Sequence, residues 1–130
     1  MAIEIPQPGR RARRVIAVHE QQPWWAPQLQ HRFVGSDVAV RTCVRIADVI
    51  EARPDVTIIV ASGDGVTAAH GLGELQQRRS GTFVVVIVTG ELLAAEWRLR
   101  ELGASAVLAD DVGADAVADV CRRALETAAS

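Results

Sequence analysis

Two apolar, mostly β-branched runs, Val56–Ala61 and Phe83–Val88, constrain this chain more than any other feature. Each is strand-sized and almost free of polar side chains. A strand with one wet face alternates apolar with polar residues. A strand apolar on both sides of its pleat has to be covered on both faces, as parallel strands are inside an α/β domain. Three weaker strand candidates, Arg14–Val18, Val38–Arg41 and Ala106–Leu108, flank these two.

The intervening stretches have helical periodicity. Trp25, Leu29 and Phe33 recur every four residues, with Pro23 and Pro27 suited to a helix start. Cys43, Ile46, Val49 and Ile50 share one face, with Arg45, Asp48 and Glu51 opposite. Val117, Val120, Cys121 and Ala124 form a stripe backed by Asp115, Asp119, Arg122 and Glu126. Val66–Arg79 is a weaker helix because Gly71 and Gly73 fall inside it. Strands alternating with helices give a doubly wound, open parallel sheet with right-handed crossovers. The 130 residues suit one such domain.

Composition sets further bounds. Hydrophobic residues at 49% and charged residues at 23% give an ordinary globular balance. No apolar run approaches the ~20 residues of a membrane helix, and no apolar signal segment opens the chain, so we expect a cytoplasmic protein with no membrane partner. All 14 basic residues are arginine, so no amine is available for Schiff-base chemistry. Arg10, Arg11, Arg13 and Arg14 make the amino terminus basic, and residues 1–12, with two prolines and a glycine, read as a flexible basic leader ahead of a domain over 13–130. Such an arm reads as a solvated tail, and nucleic acid is not the expected partner. Cys43 and Cys121 lie on predicted helix faces and read as reduced core thiols.

The segment Val15–Glu20, the Pro54-Asp55 lead into Val56–Val60, the strand ending Val88-Thr89-Gly90, and Leu102-Gly103-Ala104 together resemble the receiver domains of two-component response regulators. The resemblance spans residues 14 to 126. It implies a flavodoxin-like, three-layer α/β fold with five parallel strands ordered 2-1-3-4-5. The functional crevice then lies at the carboxyl ends of strands one and three.

The resemblance also implies a chemistry: an acidic pair after the first strand holding Mg²⁺, a phosphoacceptor Asp ending the third, a Thr or Ser ending the fourth, and a Lys ending the fifth. Metal and cation neutralise charge on the transferred phosphoryl oxygens. Here the acidic pair is His19 and Glu20. The phosphoacceptor position falls on Val60, or on Ala61 if the register slips by one. Thr89 matches, but the lysine position falls on Asp110. The loop after strand three, Ser62-Gly63-Asp64-Gly65, is short, and Asp64 on it is a poor substitute nucleophile. The sequence therefore resembles a degenerate receiver, a pseudo-receiver with a vestigial pocket at His19, Glu20, Val60, Thr89 and Asp110.

Other constellations carry less. Glu20, Asp64, Asp110 and Asp111 all follow strands and could meet a cation weakly, but they read better as solvated or helix-capping carboxylates; we expect no metal. His19, His31 and His70 have no metal spacing, although His19 in the crevice could titrate near neutral pH. Gly63-Asp64-Gly65 and Gly71-Leu72-Gly73 do not fit the dinucleotide fingerprint, so no cofactor is expected. No nucleophile–base arrangement can be argued, so no enzyme is expected.

The leading functional reading is a phosphorylation-independent regulatory module that binds a protein partner or a second copy of itself. In the helix before the fifth strand, Leu92, Ala95, Leu99 and Leu102 point one way and Leu93 and Trp97 nearly opposite. Leu93, Trp97 and Arg100 thus mark a candidate interface on the 91–102 face. The alternative is a small-molecule sensor using His19, Glu20, Trp24 and the 62–65 loop. Gly71–Leu75 also admits a sulfate-transporter/anti-sigma-antagonist-like domain, which fits less well near Leu102–Ala104.

Overall fold

The computed structural model describes residues 13–63, 65–78 and 81–129. The basic leader, Asp64 and Arg79 lie outside them. In chain order the elements are β1 (Arg14–His19), α1 (Trp25–Arg32), β2 (Val38–Cys43), α2 (Ile46–Ala52), β3 (Val56–Val60), α3 (Val66–Gln77) and β4 (Phe83–Val88). A 3-10 segment over Gly90–Ala95 then runs into α4 (Glu96–Glu101), followed by β5 (Ala106–Ala109) and α5 (Ala114–Ala129). The five strands form one sheet in the order 2-1-3-4-5, every neighbouring pair parallel. This is the flavodoxin-like doubly wound fold that the sequence implies.

Both central runs are covered as their composition requires. Val56, Ile58 and Ile59 on β3 and Val85–Val88 on β4 have no accessible surface. Strand alternation splits the core into two clusters. Ile16, Val18, Val56, Ile58, Val85 and Ile87 face α1 and α5, while Ala17, Ile59, Val84, Val86 and Val88 face α2, α3 and α4. On the first side Arg32 Nε and Asp115 Oδ1 lie 2.6 Å apart, linking α1 to α5, and the guanidinium holds the Asp115 carboxyl below its usual range. The Arg122 guanidinium sits over the Phe33 ring at 5.1 Å.

Two expectations need correction. Cys43 is not on a helix: β2 runs two residues past Arg41 because Thr42 and Cys43 register with Val18 and His19. A short β-branched stretch ending in cysteine fits either period, and pairing with β1 decides it. The segment before β5 is also not one regular helix, since its first half is wound more tightly as a 3-10 turn. Gly71, by contrast, explains its own presence inside α3. A Cβ there would meet Ile46 Cδ1 at 3.3 Å and Ile59 Cδ1 at 3.6 Å. The glycine lets α3 approach α2 and the sheet. Cys121 is a core thiol on α5, and burial pushes its pKa up to about 12.

Candidate functional site at the carboxyl rim

The carboxyl ends of β1, β3, β4 and β5 form one rim, and strand order sets His19, Glu20, Val60, Thr89 and Asp110 along it. The first two diverge. His19 shares the strand face of Ala17 and is registered with Cys43 and Ile59, so it turns toward α2 and α3. It is 5% exposed, and its Nδ1 has no hydrogen-bond partner. Burial lowers its pKa, opposed by a backbone contact at Val44. Burial therefore favours the neutral imidazole over the charged one.

Glu20 turns the other way, toward α1. It is 4% exposed, and its two carboxylate oxygens accept the backbone N–H groups of Trp25 at 3.0 Å and Ala26 at 2.9 Å. These are the first two amides of α1, which have no acceptor inside the helix. Pro27, third in the helix, has no N–H to satisfy. The carboxylate thus serves as an N-terminal cap placed five residues upstream, and the charge suits the positive end of the helix. Of the two readings open for Glu20, capping is the one the geometry shows.

Val60 ends β3, registered with Ile87 and half-buried beside the α1/α5 core. Ala61 follows it, buried, with its N–H bonded to the Ile87 carbonyl at 2.8 Å. Thr89 and Asp110 are exposed. The Thr89 carbonyl accepts the Leu92 amide at 2.9 Å, opening the 3-10 segment, and the Asp110 amide reaches the Val88 carbonyl at 2.8 Å. Among the described residues no three His, Cys, Asp or Glu side chains are gathered as a metal site would need. Of the residues named for a crevice sensor, His19 and Glu20 are not brought together. His19 and Glu20 point to opposite faces, and Trp24 lies 57% exposed, edge-on to Trp25 with ring centroids 4.8 Å apart.

On the neighbouring face Leu93 is 39% and Trp97 61% exposed, while Leu99 below them is buried. Arg100 is not a free rim charge. Its Nε bonds Glu96 at 2.8 Å and its Nη1 the Ser105 carbonyl at 3.2 Å, fastening α4 to the start of β5. Behind Leu92 and Leu99 lies an apolar groove toward α3 that includes Arg98. Sequence reasoning missed this groove, and it held helix capping open for Glu20 without naming the Trp25 and Ala26 amides that the carboxylate meets. The run of small residues Ala61, Gly65 and Ala69 is the only hint of the groove, and it is weak. No helix among the described residues is long and apolar enough to cross a membrane.

Compared by sequence, the chain matches no family model and no curated protein. Its architecture is that of response-regulator receiver domains. It is similar to the receiver domain of the TMAO respiratory system response regulator TorR, at 14% identity and TM-score 0.74 over 88% of this chain and 98% of that one. It is likewise similar to the receiver domain of the Francisella response regulator 1452, at 11% identity and TM-score 0.74 over the same shares. The BeF3-activated DrrB receiver domain matches at 14% identity and TM-score 0.71, over 86% of this chain and 97% of that one. At such identities these likenesses establish the fold.

Proposed function

We propose that this chain is a cytoplasmic, non-enzymatic signalling module of receiver fold that works without phosphorylation, through contact with a protein partner or a second copy of itself. The observation that carries the reading is Val60 at the carboxyl end of β3, where the receiver resemblance implies the phosphoacceptor. An isopropyl group offers no nucleophile. Two further observations support it. The Glu20 carboxylate, the acid the resemblance would assign to Mg²⁺, is already spent on two α1 amides. Asp110 stands where a lysine would meet the phosphoryl oxygens, and its charge repels them.

The face offered to a partner is the 91–102 segment with Leu93 and Trp97, two large apolar side chains on a solvent-facing surface. To test the reading, the protein is incubated with Mg²⁺ and acetyl phosphate, or with Mg²⁺ and beryllofluoride. Intact mass and amide NMR spectra are then compared with untreated protein. The expected result is no adduct and no shift in the resonances of the rim residues. A labile +80 Da species (one phosphoryl group, about 80 Da by general chemistry), or shifts at Val60 and Thr89, would overturn the reading.

A further inference from the structure

The inward face of the 3-10 segment and α4 does not close fully on α3. Ala61, Gly65, Ala69, Leu92 and Leu99 line a groove of about 250 Å³ between them. Small side chains keep it open, and Gly65 keeps its end narrow: a Cβ there would lie 3.5 Å from a Leu92 methyl. The lining is apolar except for one side chain, Arg98. That guanidinium is exposed and, among the described residues, has no hydrogen bond or ion pair, whereas Arg100 two positions on is held by Glu96 and Ser105. A lone unpaired cation beside an apolar slot is complementary to an amphipathic anion.

We propose that this groove binds a small monocarboxylic acid with an alkyl tail, the tail lying between α3 and α4 and the carboxylate on Arg98. Size and chemistry agree. A volume of about 250 Å³ holds roughly eight groups of water size at ~30 Å³ each, which suits a chain of about six to eight carbons. The planar guanidinium fork matches a carboxylate with two parallel hydrogen bonds and repels an ammonium group. The site also has a reach beyond itself. Leu92 and Leu99 wall the groove, while Leu93 and Trp97, on the outer side of the same short segment, are exposed. Filling the groove therefore acts on the segment that carries the exposed apolar face. The proposal is independent of the phosphorylation reading, since His19, Glu20, Val60, Thr89 and Asp110 take no part and Ala61 gives the groove only its methyl wall.

The test uses octanoate as the probe, titrated into the full chain and followed by calorimetry and by amide NMR. The expected result is saturable binding with shifts centred on Ala69, Leu92 and Leu99. Affinity should weaken about three- to fourfold for each methylene removed toward hexanoate. Octylamine should not bind at the groove, and Arg98→Gln should weaken octanoate about tenfold. Ala69→Leu, which fills the slot, should abolish binding in a protein whose circular dichroism is unchanged. Should that variant fail to fold, Arg98→Gln at its exposed position still decides the matter. Absence of binding at millimolar octanoate, equal binding of octylamine, or shifts confined to the outer face would each overturn the proposal.

Discussion

On one side of the sheet α5 is 16 residues long and α1 sits against it, with Leu29, Val117, Ala118 and Cys121 fully buried between them and the strands. On the other side α2 has seven residues, α4 six, and α3 carries two glycines. There the 3-10 segment buries no residue fully, and the groove by Arg98 is left open. One layer is packed and pinned by Glu20 and by the Arg32–Asp115 pair; the other is short-helixed and lean. Local openings start where buried apolar contacts are few, so binding surfaces tend to fall in such regions. The exposed Leu93 and Trp97 belong to the lean layer.

The sharpest way to break this contrast is to make the same truncation in both layers. Leu29→Ala, at a site with no accessible surface, should cost about 4 kcal/mol, and Leu99→Ala about 2 kcal/mol, because Leu99 already borders open space. Urea unfolding of the two variants measures the difference, and equal losses would erase the distinction. Glu20→Ala should follow at about 2 to 3 kcal/mol, since it orphans two amides and removes a charge from the helix start. Glu20→Gln, which keeps one acceptor oxygen, should recover part of that loss. Were Glu20→Ala as stable as the native protein, the pinned layer would owe nothing to its cap.

A smaller effect depends on pH. Burial depresses the His19 pKa in the folded chain below its unfolded value of about 6.5. Above that value neither state is protonated at His19, and the group contributes no pH dependence. As pH falls below it the unfolded chain takes up the proton first, so stability declines, by at most about 1.4 kcal/mol per pH unit. Unfolding midpoints between pH 7.5 and 5.5 should therefore fall less steeply in His19→Phe than in the native chain. The smallest change in stability belongs to Trp97→Ala, at an exposed position where almost no folding energy is lost. Its effect should appear in association instead. Sedimentation of the native chain should show self-association, or pull-down a partner, that the variant loses. A monomeric, partnerless native chain would remove the reason for the lean layer.

The sheet was legible because the Val/Ile runs over 56–61 and 83–88 admit few other fates, and the order 2-1-3-4-5 came with the receiver resemblance. The opposed placement of Leu92 with Leu99 and of Leu93 with Trp97 was legible from helical phase alone, even though half the segment is wound as a 3-10 turn. What stayed hidden depends on chain direction after a strand ends. Whether His19 and Glu20 meet in a crevice or part to opposite faces is decided by the path of Gln21–Trp24, which has no periodicity. Capping signals in sequence rest on a Ser, Asp or Asn next to the helix start, and here that position is Trp24, so a glutamate five residues before Trp25 gives no such cue. Cys43 was misplaced because two residues of strand pairing outweighed a helical pattern that continued through it.

The cap on α1 also changes how the first turn of that helix can come undone. Helix ends ordinarily fray, and their first amides exchange with solvent freely. In α1 the amides of Trp25 and Ala26 are tied to the residue that directly follows β1, a central strand paired on both sides. Opening the first turn means freeing the end of that strand. With Arg32 paired to Asp115 at the other end, α1 is fastened at both termini, and its leading amides should be among the slow exchangers of the molecule.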